Sequence, residues 1–146
     1  MRCEEIMKKK VEYVRPSDTV QTAAQKMRDC GVGFLPVCDE SQHVLGVVTD
    51  RDITIRAVAD NHQASSTNVE AIMSKELVSC KKDDDISKAQ ELMAQHQKSR
   101  ICCVDDDGKL IGVISLSDIA QYETAEKASE TLKQVASRES APQAFA

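Results

Sequence analysis

Two short spans of the sequence place a hydroxyl and a carboxylate at one spacing, Thr49-x-x-Asp52 and Ser115-x-x-Asp118. Each follows an apolar run that reads as a strand and precedes a run that reads as a helix. Unpaired backbone N–H groups and the positive end of the helix dipole then lie at the junction, where phosphate is favoured. A carboxylate in the first helical turn can accept hydrogen bonds from two neighbouring ribose hydroxyls, as acidic residues do in dinucleotide folds. The Thr49 and Ser115 hydroxyls would reach toward ribose or phosphate. Cations stand nearby in sequence at Arg51, Arg56, Lys98 and Arg100. The same pattern, [ST]-x-x-[DE], is also a capping box that starts a helix, worth about 1 kcal/mol. Both readings stand, and they can coexist; Arg51 and Arg56 also fit as solvated helix charges.

Other chemistry is weakly supported. The sequence shows no activated nucleophile constellation, no metal-ligand spacing and no Gly-rich phosphate loop, so the expectation is a binding protein without catalytic residues and without a required cofactor or metal. There are six cysteines but no C-x-x-C. Cys38, Cys80, Cys102 and Cys103 fall in strand-like runs, where a free cysteine acts as a small hydrophobe. The adjacent Cys102 and Cys103 would face opposite sides of a strand. A thiol-based redox or metal stress sensor using Cys3, Cys30 or the 102–103 pair is the alternative from a different functional class. His43, His62 and His96 have no ligand spacing with any cysteine and are expected at the surface. Met27 and Met93 fall on helix stripes and read as core.

The elements that would position these residues recur. Shifted by 66 residues, the sequence repeats without gaps, with 11 identities over the 48 aligned positions 6–53. These include Ile6-Met7 on Ile72-Met73, Gly46-Val47 on Gly112-Val113, and Asp52-Ile53 on Asp118-Ile119. Chance at ordinary amino-acid usage would give about 3. Each repeat opens on an apolar stretch (Val11 to Val14; Leu77 to Cys80). A helix follows, its stripe formed by Val20, Ala23, Ala24 and Met27 in one repeat and by Ile86, Ala89, Leu92 and Met93 in the other. Asp18-Thr19 and Asp83-Asp84-Asp85 supply helix caps. Two β runs come next, Phe34 to Cys38 with Val44 to Thr49, and Ile101 to Val104 with Leu110 to Ser115. Asp107-Gly108 carries a hairpin signal. A second helix begins near Arg51 and near Ser117. Thr67-x-x-Glu70 reads as a capping box opening a short helix into Ile72-Met73. The order is β-α-β-β-α, twice: residues 1–66 form the first repeat with its connection, 67–137 the second with a C-terminal helix, and 138–146 a frayed tail. A unit of about 50 residues cannot bury both helix stripes alone, so the repeats are expected to pack together.

The net charge of 19 − 24 = −5 argues against a nucleic-acid partner. Aromatic residues are 3% of the chain, so the core must be aliphatic. No export signal and no membrane-spanning run is visible, which makes a cytoplasmic location with reduced thiols the expectation.

The β-α-β-β-α repeat with Gly-Val-Val-Thr-x-x-Asp at 46–52 and Gly-Val-Ile-Ser-x-x-Asp at 112–118 resembles a tandem of cystathionine β-synthase (CBS) domains, a Bateman module. The resemblance covers residues 4 to about 122. It implies an α/β (α+β) fold with two repeats packed sheet to sheet about a pseudo-two-fold axis. It also implies clefts for an adenine nucleotide such as AMP, ADP, ATP or NAD(H), or for S-adenosylmethionine, and commonly a homodimer. It assigns ribose to Asp52 and Asp118. It assigns adenine contacts to Gly33-Phe34-Leu35-Pro36 and to Ser99-Arg100-Ile101-Cys102, and phosphate to Arg100. Repeat 1 has Gly33-Phe34 where a phosphate-contacting cation could stand, and repeat 2 has Cys102 in place of Pro36, so unequal sites are expected. With no room for a catalytic domain, the implied role is regulatory, exerted on a partner protein or on the chain's own oligomer. A structural dimer that has lost its ligand shares every one of these features.

Overall fold

The computed structural model describes residues 1–137; the expected tail at 138–146 lies outside the described residues. Along the chain run α1 (Cys3–Ile6), α2 (Val20–Cys30), β1 (Phe34–Cys38), β2 (Val44–Thr49) and α3 (Asp50–Asp52), which continues as a π-helical segment, Ile53–Val58. A single 3-10 turn, Val69–Ala71, precedes β3 (Ser79–Lys81), α4 (Ile86–His96), β4 (Arg100–Val104), β5 (Leu110–Ser115), α5 (Leu116–Tyr122) and α6 (Ala125–Ala136). The elements form a mixed α/β fold with two small sheets, β1-β2 and β3-β4-β5.

Two compact units result, and they trade segments relative to the sequence repeats. One unit holds Lys10–Leu77 with Asp106–Leu110. The other holds Met1–Lys9, Val78–Asp105 and the described residues from Ile111 to Ser137. Within the first unit, Val47 pairs antiparallel with Ser74. Within the second, Lys8 pairs antiparallel with Val113. The two pairings correspond under the 66-residue shift, so the Ile-Met-x-Lys segment of each repeat crosses the second strand of the other.

In the first unit, β1 and β2 pair antiparallel from Phe34 opposite Thr49 to Cys38 opposite Val44. Leu35, Val37 and Val48 face a core completed by Val20, Ala23 and Met27 of α2 and by Val14, Ala57, Val69, Ile72 and Met73. The α2 stripe is as the spacing predicts, except that Ala24 is only half-buried. Thr19 caps α2, its Oγ accepting from the Thr22 N–H at 3.1 Å. Thr19→Ala is expected to cost about 1 kcal/mol, read as a lower urea midpoint with an unchanged slope. Of the expected opening strand, Val11 to Val14, only Val14 is β-paired, in a parallel bridge to Val37. The capping box at Thr67 does not form. Its hydroxyl instead donates to the Gln63 carbonyl at 2.8 Å, and Asn68 precedes the 3-10 turn without a side-chain cap.

In the second unit, β3 pairs parallel with β4, setting Cys80 opposite Cys103. Ile86, Ala89 and Met93 of α4 pack with Ile101, Ile114, Ile119 and Val135, and with Cys3, Cys80 and Cys103. Asp85 caps α4 by accepting from the Ser87 N–H at 3.0 Å. Gly31 ends α2 in the left-handed conformation (φ 65°), and at the matching place Gln97 ends α4 with φ 53°.

Candidate functional site

Each unit carries one copy of the predicted hydroxyl-carboxylate pair, and in both copies it is built as a capping box. The Asp52 N–H donates to Thr49 Oγ at 3.1 Å, and Asp52 Oδ2 accepts from the Thr49 N–H at 2.9 Å. In the second unit the Asp118 N–H donates to Ser115 Oγ at 3.2 Å, while Asp118 Oδ2 accepts both the Ser115 N–H (2.9 Å) and the Ser115 hydroxyl (3.0 Å). The Ser115 hydroxyl is thus buried and hydrogen-bonded to its own aspartate. In both units the second carboxylate oxygen faces a cation instead of the cap. Asp52 Oδ1 lies 3.9 Å from Arg56 Nε, and Asp118 Oδ1 lies 3.9 Å from Lys8 Nζ. Asp52 keeps 14% of its side chain exposed and Asp118 only 8%.

The junctions are closed from the strand side in the same way: the Asp50 N–H donates to the Gly33 carbonyl and the Leu116 N–H to the Ser99 carbonyl, each at 2.9 Å. What differs is the side chain there. Asp50 folds back over Gly33 so closely that a β-carbon at residue 33 would lie 2.5 Å from its Oδ2. Its Oδ1 accepts the Arg51 N–H at 2.9 Å. A carboxylate therefore occupies the first helical turn of repeat 1, where repeat 2 carries the uncharged Leu116. Sequence reasoning passed over Asp50, although the contrast between Asp50 and Leu116 in the aligned repeats was the available signal.

The cations separate too. Arg100 is exposed at the start of β4. Arg51 is exposed and lines a shallow hollow of about 330 Å³ with Asp50, Thr54 and Ile55. Arg56 is a strut: its guanidinium donates to the carbonyls of Ile72 and Met73, both at 3.3 Å, which ties the π-helical segment to the crossing segment. Of the expected adenine-lining residues, Leu35 and Ile101 are core side chains of their own units, so they could offer a ligand only backbone. Phe34 and Pro36, and likewise Arg100 and Cys102, turn to the opposite strand face by the two-residue alternation. Phe34 is half-buried there, while Pro36 and Cys102 are buried.

The CBS domain profile matches residues 3–58 and 69–125, the two repeats. The chain is a member of the CBS-domain family. It is 33% identical over 146 residues to the uncharacterized protein YlbB of Bacillus subtilis, covering 99% of this chain and 97% of that one. It is 31% identical over 119 residues to the uncharacterized protein MK0525 of Methanopyrus kandleri, covering 82% of this chain but 61% of that protein. The solved CBS domain pair of protein MJ0100, in complex with 5'-methylthioadenosine and S-adenosyl-L-methionine, superposes with a TM-score of 0.74 over 83% of this chain and 94% of that chain. At 22% identity that likeness establishes the fold. Among the described residues, no helix is long and apolar enough to cross a membrane, and no group of three or more His, Cys, Asp and Glu residues is arranged to hold a metal ion.

Proposed function

We propose that this CBS pair is a regulatory module that binds an adenosine-containing ligand through Asp118 and Asp52. The observation that carries the reading is the shared geometry of the two capping boxes. In each, one carboxylate oxygen is spent on the backbone and the other is turned away from the cap, available to a pair of ribose hydroxyls. The adenosine compounds bound by the MJ0100 pair support the ligand class.

The two sites are unequal on this reading. A phosphate approaching the first turn of α3 meets the Asp50 carboxylate, and the Arg51 N–H is already taken. In repeat 2 the same place offers Leu116, with Arg100 exposed on the adjoining strand. A charged nucleotide such as AMP, ATP or NAD therefore favours repeat 2. Repeat 1 suits an adenosine ligand with no phosphate, or with a positive charge. The output is a shift between conformations of the module, passed to a partner protein or within a homodimer, and no catalytic step is assigned to the chain.

Thermal melting against AMP, ADP, ATP, NAD, NADH and S-adenosylmethionine, with GMP as control, tests this. At 100 times its dissociation constant a ligand adds about 2.7 kcal/mol, which raises the midpoint by roughly 6 °C. The shift should vanish when Asp52→Asn and Asp118→Asn are combined, and phosphate-bearing ligands should lose most through Asp118→Asn alone. A flat response to every adenine compound, or an equal shift in the double variant, would sink the assignment.

A further inference from the structure

Only 8% of the Asp118 side chain is exposed, and its Oδ2 takes both hydrogen bonds that the carboxylate makes to Ser115. Among the described residues, no hydrogen bond reaches Oδ1. No buried side-chain oxygen or nitrogen among them is sealed off without a partner, so Oδ1 opens to solvent. It faces the Lys8 ammonium at 3.9 Å, which is beyond hydrogen-bond length, and that lysine side chain is 71% exposed. The second unit thus holds a nearly buried carboxylate with one oxygen uncommitted, and a cation beside it that is not locked to it.

Lys8 is brought there by the crossing of the chain. It belongs to the first repeat in sequence, yet its backbone pairs with β5. The Lys8 N–H donates to the Val113 carbonyl and the Val113 N–H to the Lys8 carbonyl, both at 3.0 Å. Gly112 gives the crossing its room, since a β-carbon there would lie 2.9 Å from the Lys8 carbonyl oxygen. The Lys8 backbone is therefore fixed beside the strand that ends in Ser115, while its four-carbon stem stays flexible.

The first unit differs at each of these points. Under the 66-residue shift Lys8 falls on Ser74 and Leu116 on Asp50. The crossing beside Asp52 therefore brings a hydroxyl in place of an ammonium. Asp52 Oδ1 does face Arg56, but that guanidinium is tied to the carbonyls of Ile72 and Met73. An arginine held in this way cannot follow a ligand, whereas Lys8 can.

We propose that Lys8 is a ligand-binding residue of the second site, taking the phosphate of an adenosine nucleotide while Asp118 takes the ribose. The inference rests on the nucleotide reading above and adds the residue that selects a phosphorylated ligand over a nucleoside. Before a ligand arrives, the ammonium offsets the charge of Asp118. Ribose hydroxyls donating to Oδ1 take its place beside the carboxylate, and the ammonium turns to the phosphate. Both charges stay paired through the exchange, the carboxylate with hydroxyls and the ammonium with phosphate. A nucleoside supplies only the first half, because it displaces the lysine and gives it no new partner. A ligand with a positive charge near its ribose meets the ammonium as a like charge.

Isothermal titration calorimetry with adenosine and AMP tests this on the full chain carrying Asp52→Asn, which silences the first site. AMP is expected to bind this parent more tightly than adenosine does. Lys8→Ala should weaken AMP by about tenfold, the worth of one charge-assisted hydrogen bond from an exposed lysine, and should not weaken adenosine. Lys8→Arg keeps the charge and should retain most of the AMP affinity. Lys9→Ala removes the same charge one residue away, from another exposed side chain, and should leave both affinities unchanged. Equal losses for adenosine and AMP in Lys8→Ala overturn the proposal, because they mark a purely structural role. A loss of AMP affinity as large in Lys9→Ala overturns it as well. AMP binding that ignores Lys8 removes this inference alone, whereas binding of neither probe by the parent brings down the nucleotide reading with it.

Discussion

Gly46→Ala is expected to destabilise the protein by roughly 3 kcal/mol or more, enough to remove much of the folded population of a marginal domain. The cause is a backbone crossing. Val47 and Ser74 exchange two hydrogen bonds, Val47 N–H to the Ser74 carbonyl at 3.0 Å and Ser74 N–H to the Val47 carbonyl at 2.8 Å. A β-carbon on residue 46 would run into that same Ser74 carbonyl oxygen and would lie 2.8 Å from Met73 Cε. Neither strand can yield, because β2 is paired on its other side to β1 and the crossing segment is held by Arg56. Gly112→Ala meets the equivalent crossing in softer form. Its β-carbon would lie 2.9 Å from the Lys8 carbonyl oxygen and 2.7 Å from Met7 Sδ, and a methionine side chain can move aside. The expected cost is about 2 kcal/mol. Leu45→Ala, next in the strand but exposed, should change stability by less than about 0.5 kcal/mol. Urea midpoints of the three variants check the order, and equal midpoints for Gly46→Ala and Leu45→Ala would contradict the close crossing.

Those two glycines mark the border of what could be read from residue types. The repeat, the stripes of α2 and α4 and both hairpins were legible because period and turn chemistry are local properties. The motif Gly-Val was visible as a pattern, but its physical reason was not, since a glycine inside a strand says only that something approaches closely. Which segment approaches is a long-range fact: Ser74 crosses Gly46 from 28 residues away in sequence, and Lys8 crosses Gly112 from the far end of the chain. Equivalent segments are chemically interchangeable between repeats, so nothing in the sequence said that each would be completed by the other's Ile-Met-x-Lys stretch. The Cys3, Cys80 and Cys103 cluster was hidden for the same reason. The π-helical run Ile53–Val58 had no signature either, because helix period over six residues does not separate the two geometries. At the site, Thr49, Asp52, Ser115 and Asp118 were legible as a constellation. Their double use was not, because a capping box and a ribose clamp ask for the same residues.

That double use predicts unequal consequences for one substitution made twice. Asp118→Ala is expected to cost about 3 kcal/mol and Asp52→Ala about 1 kcal/mol. Asp118 accepts two hydrogen bonds from Ser115, and both residues are buried, so its removal leaves a backbone N–H and a hydroxyl without an acceptor where water cannot reach. Thr49 and Asp52 are less deeply buried, Asp52 keeping 14% of its side chain exposed, so solvent can replace the lost carboxylate. The Lys8 contact adds little, because that ammonium is 71% exposed and 3.9 Å away. Asp118→Asn should recover most of the loss, since a carboxamide oxygen still accepts from Ser115. Urea unfolding of the three single variants at neutral pH measures the difference, and equal costs for the two alanine variants would mean that burial does not set the strength of the second cap. The same logic fixes how ligand binding must be probed. An alanine at 118 removes a fold contact and a ligand contact together, whereas asparagine keeps the cap and changes the oxygen turned away from it. Loss of an adenosine-dependent stabilisation in Asp118→Asn, with the unliganded midpoint nearly unchanged, would separate the carboxylate's work on the ligand from its work on the helix.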